Sequence, residues 1–239
     1  HQLKNKEKIG FDPKLHTITE IKSLKQRMLK KKASLVPIKK NLIDRLWKRS
    51  DSEKIKKMFD LKLKFSGQSS AFKIKKIAKL LRKKKADFLF LSCPESIVWL
   101  LNVRGNDLPY TPVVKCMAMI DSKENVDLFI DKNKVPKQLI SKLGTKISVV
   151  SIDEIFNKIR QRKKIKPKSI ILDDKKVSYL IYNELKEMGF NIIFSLDPCI
   201  SLKAIKNGTE INGMRNSSNR FQNQTLPLLG LFLIGYSME

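Results

Sequence analysis

Hydrolytic chemistry needs either a nucleophile beside a base or a set of side chains able to converge on a metal, and this chain offers little material for either. Only two histidines occur, His1 and His16. His16 has the chemistry of a ligand, but its position just after Asp12-Pro13 favours a structural role in that turn. The best acidic pair, Asp173-Asp174, lies at the end of an apolar run, where neighbouring strand residues point to opposite faces and capping of the following helix accounts for one of them. No G-x-S-x-G elbow, G-x-G-x-x-G or P-loop is present among the nine glycines. No catalytic and no metal-ligating residue is therefore expected. A polar loop carries Asn102, Arg104 and Asp107. The guanidinium of Arg104 can fork onto a carboxylate that Asp107 helps to orient. The plainer alternative is that Arg104 and Asp107 pair with each other and hold the loop. Trp99, just upstream, is a candidate interface residue; Trp99, Leu100 and Leu101 share one helical run and read as core or interface rather than as a ligand shelf.

The chain that must position these residues has 239 residues, 41% of them hydrophobic, enough for one or two cores, and carries 50 basic against 23 acidic side chains for a net charge of +27. Such a charge raises a lysine-rich nucleic-acid-binding module as an alternative function. Its distribution weakens that reading. Only nine of the basic residues are arginine, the side chain that phosphate and guanine recognition favours, and the lysines recur in nearly every segment. The densest runs, Lys30 to Lys32, Arg82 to Lys85 and Arg160 to Lys168, fall where helices should end and complement their dipoles. No specific nucleic-acid partner is expected. Cys93, Cys116 and Cys199 are odd in number and far apart, which suggests no disulfide framework and fits a reducing, cytoplasmic setting. The apolar run Leu226 to Tyr236 is shorter than the roughly 20 residues a spanning helix needs, so no membrane partner is expected.

Periodicity predicts a short strand over Lys8 to Asp12, a helix opened by a Thr17/Glu20 capping box and carrying Ile18, Ile21, Leu24, Met28 and Leu29, and a strand over Ala33 to Ile38. Residues Leu61 to Ser70 are polar and turn-rich and read as a linker. A helix with Phe72, Ile74, Ile77, Leu80 and Leu81 follows, then a strand Asp87 to Ser92, a helix opened by Pro94-Glu95, and a hairpin of Val113 to Asp121 with Asn125 to Asp131. Beyond it, helices Val135 to Leu143, Ile152 to Arg162 and Val177 to Met188 alternate with strands Lys146 to Val150, Ser169 to Asp173 and Phe190 to Phe194. Gly189 stands where a helix-ending glycine belongs. The expectation is an α/β fold whose sheet starts antiparallel and becomes parallel.

The segment Pro94-Glu95-Ser96-Ile97-Val98-Trp99-Leu100-Leu101-Asn102-Val103-Arg104-Gly105-Asn106-Asp107-Leu108-Pro109-Tyr110-Thr111-Pro112-Val113 resembles the middle domain of the aminopeptidase P family, metallopeptidases of the creatinase/prolidase type that cleave before proline. Gly10-Phe11-Asp12-Pro13 with Leu15-His16-Thr17 is similar to the end of that family's first domain, Val126 to Asp131 to its middle-domain hairpin, and Lys203 to Asn207 with Glu210-Ile211 and Gly213-Met214-Arg215 to the start of its catalytic domain. The resemblance covers roughly residues 8 to 216. It implies a creatinase N-terminal-like (ribonuclease H-like) mixed sheet flanked by helices, without the pita-bread domain that holds two divalent metals, usually manganese in the family, and whose ligands have no counterpart here. It also implies that Asn102, Arg104 and Asp107 form a loop facing the active-site cleft or docking the catalytic domain.

On this basis residues 1-60 are expected to be the later part of a first creatinase N-terminal-like domain, 61-70 a linker, 71-203 a complete middle domain and 204-239 a catalytic-domain connection followed by a divergent tail. The change of character after Arg215 reads as a frameshift or early stop, with the tail as an interaction helix in the alternative. The chain is thus expected to be a non-catalytic remnant or a docking and dimerisation module, inactive alone. Its partner would be a pita-bread catalytic domain or a second copy, met through faces around Trp99 and Phe129.

Overall fold

The computed structural model describes residues 6–38, 40–47, 55–163 and 168–235, with side chains as far as Phe221. His1, the later part of the basic run from Arg160 to Lys168, Tyr236 and the side chains of the apolar tail lie outside the described residues.

Strand β1 (Lys8–Phe11), helix α1 (Ile18–Lys30) and strand β2 (Ser34–Pro37) form the first unit, with β1 and β2 parallel. The capping box that opens α1 is reciprocal. Thr17 Oγ accepts from the Glu20 amide at 3.3 Å and Glu20 Oε2 accepts from the Thr17 amide at 2.9 Å. That main-chain donor holds the Glu20 carboxyl below its ordinary range. Ile18 and Ile21, one turn of α1, are fully buried.

Helix α2 (Leu42–Leu46) and strand β3 (Phe59–Asp60) lead to a single turn, α3 (Leu63–Ser66), inside the stretch read as a linker. Gly67 ends that turn at φ +67°, a conformation that strongly favours glycine. Helix α4 (Ser70–Lys83) is capped by Ser69, whose side chain accepts from the Phe72 amide. Next come β4 (Phe88–Leu91), α5 (Pro94–Leu101), β5 (Val103–Arg104), β6 (Met117–Asp121), β7 (Val126–Phe129), α6 (Lys137–Leu143), β8 (Ile147–Val150), α7 (Ile155–Lys163), β9 (Ser169–Leu172), α8 (Tyr179–Glu187), β10 (Asn191–Phe194), α9 (Pro198–Ala204) and α10 (Gly208–Gly235).

Six strands make the main sheet in the order β10-β9-β4-β6-β7-β8. The pairs β4/β6 and β6/β7 are antiparallel, and β7/β8, β4/β9 and β9/β10 are parallel, the sequence of directions the strand pattern predicts. Both faces are covered, which is why β4 reads Phe-Leu-Phe-Leu without alternation. Leu89 and Leu91 join Ile120, Leu128 and the α4 and α5 side chains in one cluster. Phe88 and Phe90 join Met119, Phe129, Ile170 and the α7 and α8 side chains in the other. Each such fully buried side chain contributes roughly 1.5–3 kcal/mol by leaving water. Phe129 is completely buried and so is no docking face; its strand lies in the middle of the sheet, between β6 and β8.

A charged pair is built into the α7 side of this core. Asp127 of β7 is 1% exposed and receives both Arg162 Nε at 2.7 Å and Nη2 at 2.9 Å, with Lys158 Nζ at 3.7 Å. Both cations come from α7, which crosses that face of the sheet.

The first unit is joined to the rest through helix starts. Thr17 and Ser178, the residues that cap α1 and α8, face each other in an antiparallel bridge. Four main-chain bonds cross there: Ile18 N to Val177 O, Thr19 N to Asp174 O, Tyr179 N to His16 O and Leu180 N to Pro13 O. Amides of a first helical turn have no partner within their own helix, and each helix finds acceptors in the loop preceding the other. Asp173 does not cap α8, as Ser178 occupies that place; its carboxylate instead accepts from the Lys175 and Asp197 amides and ties the end of β9 to the start of α9. His16 packs edge-on against Phe11 and stands 3.6 Å from Glu20, which fits the structural role expected of it.

Candidate functional site

Helix α5 ends at Asn102, which adopts the left-handed conformation (φ 53°, ψ 46°) that asparagine tolerates better than other non-glycine residues. Its amide side chain holds two elements together. Oδ1 accepts from Lys73 Nζ at 2.7 Å, and Nδ2 donates to the Gln68 carbonyl at 2.8 Å. Lys73 comes from α4, is 1% exposed, also donates to the Trp99 carbonyl at 2.8 Å, and places its ammonium 4.3 Å above the Trp99 ring. A cation at the C-terminal end of α5 meets the negative end of the helix and gives the Trp99 carbonyl, otherwise reached only by the Asn102 amide at 3.4 Å, a short donor. Burial pushes the Lys73 amine down to about 8, with Glu210 opposing that shift and Arg104 adding to it.

Arg104 lies on β5, which pairs antiparallel with β3, so the sequence-predicted loop begins as a two-residue strand. Its Nη1 donates to the Val98 carbonyl at 3.2 Å and the Val103 carbonyl at 2.8 Å. Burial lowers its basicity while the Glu210 carboxylate raises it. Asp107 points elsewhere. It pairs with Lys134 at 2.6 Å and accepts from the Lys115 amide at 2.7 Å. Arg104 and Asp107 therefore do not pair with each other. The chain turns back after Gly105, where an added Cβ would stand 2.9 Å from the Val114 side chain, and the close approach aims the two charges at different neighbours.

Trp99, Arg104 and Glu210 line an open groove of about 970 Å³ between α3, α9 and the start of α10. Trp99 is 9% exposed, and its indole Nε1–H has no acceptor among the described residues. Glu210 is fixed by a second capping box: its carboxylate accepts from the Asn207 amide, and Asn207 Oδ1 accepts from the Glu210 amide, both at 3.0 Å. Asn207 Nδ2 reaches the Ser66 carbonyl at 2.9 Å, which anchors α10 on α3. The structure thus brings Trp99, Asn102 and Arg104 together and leaves Asp107 apart.

Lys73 and Glu210 complete this cluster, and sequence reasoning passed over both as functional residues. Lys73 is hidden among many lysines, yet it stands four residues before Ile77 and eight before Leu81, on the apolar face of α4, where a lysine is out of place.

Among the described residues no three of His, Cys, Asp and Glu are grouped to hold a metal ion. The described side chains do not fit the metal pair that the family resemblance implies. Burial pushes the Cys116 thiol up to about 12 and raises the Cys199 thiol well above its ordinary value. Cys93, partly accessible, is expected to be the only thiol that iodoacetamide modifies within minutes in the folded chain, with all three modified in denaturant. Intact mass resolves the count, and rapid loss of a second native thiol would contradict the burial.

Comparison with known proteins agrees with this architecture. Residues 49–210 match the Creatinase/Prolidase N-terminal domain family. A probable Xaa-Pro aminopeptidase P of Blastomyces gilchristii is 33% identical over 219 residues, covering 87% of this chain and 35% of the relative. Xaa-Pro aminopeptidase 1 of Dictyostelium discoideum is 33% identical over 228 residues, covering 90% of this chain and 35% of the relative. The chain spans about a third of the length of these curated relatives. The X-prolyl aminopeptidase of Caenorhabditis elegans, described as a cytosolic enzyme with a di-nuclear active site, superposes with a TM-score of 0.87 at 25% identity over 97% of this chain and 38% of its own. The chain belongs to the creatinase/prolidase N-terminal domain family and is similar to the N-terminal part of Xaa-Pro aminopeptidases.

Proposed function

We propose that this chain acts as the non-catalytic N-terminal portion of an Xaa-Pro aminopeptidase of the P type, docking on a pita-bread catalytic domain that removes the residue preceding proline. The observation that carries the reading is the match over 97% of this chain and 38% of the other to an X-prolyl aminopeptidase described as having a di-nuclear active site. In this reading the two divalent metals, manganese by preference, are held by the catalytic domain. A second copy of the chain is the other partner the reading admits. The setting in this reading is cytoplasmic, supported by the likeness to a nematode enzyme described as cytosolic.

The test is direct. Purified chain, supplied with manganese and a tripeptide carrying proline second, is expected to release no N-terminal residue above the no-protein background. Release that scales with protein concentration and follows the chain through a further purification step would overturn the non-catalytic reading.

A further inference from the structure

The groove beside α10 has a chemistry of its own. Its rim carries Lys64, Lys206 and Arg220, with Arg104 deeper inside and Lys203 already 3.7 Å from Glu95, against one lining carboxylate, Glu210, engaged in capping α10. Lys64, Lys206 and Arg220 are exposed. Between the cations lie apolar side chains that water covers poorly. Phe65 is 58% and Met214 60% exposed, and Trp99 forms part of the wall. Along α10, Ile211, Met214 and Phe221 recur at intervals that place them on one face, and all three are exposed. An apolar centre with a charged rim is the anatomy of a protein-docking surface, and a chain of +27 meets an acidic partner with favourable steering.

From this complementarity we infer that the groove between α3, α9 and α10 receives an acidic protein segment whose apolar side chains rest on Phe65, Trp99 and Met214 while its carboxylates face Lys64 and Lys206. The inference rests on the docking role proposed above and specifies the partner's chemistry. A nucleic-acid duplex would satisfy the cations with its phosphates but keeps its bases stacked inside, away from the apolar centre. A second copy of this chain would bring like charge to like charge.

Fluorescein-labelled short peptides probe it: one alternating glutamate with leucine, one alternating glutamate with serine, and one alternating lysine with leucine. Anisotropy against the full chain at about 0.15 M salt is expected to show binding of the glutamate/leucine peptide and little of the other two. The variant Lys64→Glu/Lys206→Glu is expected to weaken that binding at least about tenfold. The control Lys30→Glu/Lys31→Glu, at the end of α1 with the same change of net charge, is expected to leave it near the unmodified value. Equal binding of the glutamate/serine peptide, equal weakening by the control, or no binding of the glutamate/leucine peptide would each overturn the inference. If circular dichroism shows the reversal variant unfolded, Lys64→Gln/Lys206→Gln replaces it, with a smaller loss expected and an unchanged affinity counting against the groove. A negative peptide result beside a blank peptidase assay removes this partner chemistry and leaves the docking role standing. Peptidase release removes the docking role whatever the peptides do.

Discussion

Arg162→Ala is expected to lower the unfolding free energy at neutral pH by about 3 kcal/mol, the lower end of what removing one partner of a buried pair costs. Asp127 is 1% exposed in the middle of β7, and Arg162 supplies both of its short hydrogen bonds, so truncation leaves a carboxylate in the core facing α7. Two features keep the loss from being larger. Lys158 remains at 3.7 Å, and the Arg162 side chain is itself 28% exposed, so its own desolvation on folding is incomplete. The converse change, Asp127→Asn, frees an arginine that can turn to water and is expected to cost less, about 1–2 kcal/mol. The double variant is expected to lose less than the two single losses combined, because neither charge then lacks its partner. Urea unfolding of the four proteins decides. A loss below about 0.5 kcal/mol for Arg162→Ala, or simple additivity, would show that the pair does not hold this carboxylate in the core.

Lys73→Met is expected to change how stability depends on pH more than its value at any one pH. The amine of the folded chain loses its proton near pH 8 and that of the unfolded chain near 10.5. Below about 8 both states are protonated, and the folded state bears the full cost of a poorly solvated ammonium. Between the two values the unfolded chain holds the extra proton, so stability rises with pH through that window. Each unit of difference is worth 1.36 kcal/mol, so the unmodified chain gains on the order of 3 kcal/mol from pH 8 to pH 10.5 relative to the methionine variant. Methionine also leaves Asn102 Oδ1 without its donor and the Trp99 carbonyl with only the Asn102 amide at 3.4 Å, which acts at every pH. Denaturant unfolding at several pH values separates the two effects. Parallel curves for the two proteins would show that Lys73 is not the group that titrates.

Local chemistry made much of this architecture readable before any coordinates. Thr17 and Glu20 sit at capping-box spacing, Pro94 opens a helix, Gly189 ends one with φ +74°, and the apolar runs of β4, β6, β7 and β9 stand clear of the polar segments around them. The candidate site was legible as a set of residues and illegible as a set of contacts. Arg104 and Asp107, three positions apart and opposite in charge, look like partners on a line. The tight return at Gly105 sends one toward the end of α5 and the other toward Lys134. Lys73 escaped notice because it contacts residues 26 and 29 positions away, and its place on the apolar face of α4 is easily overlooked among the many lysines of the same helix. Asp127 had the same invisibility: its partners lie on a helix that begins 28 residues later.

The bridge between Thr17 and Ser178 bears on how such a chain can change over evolutionary time. The four bonds that cross there run from amide to carbonyl, and an amide is the same group whichever side chain it carries. Substitution can therefore alter most residues around the joint without removing a donor or an acceptor, provided proline stays out of the two first turns and something still caps them. A junction written in the backbone drifts slowly in shape while its letters turn over quickly. That asymmetry is consistent with a chain one quarter identical to the nematode enzyme superposing on it over nearly its whole length.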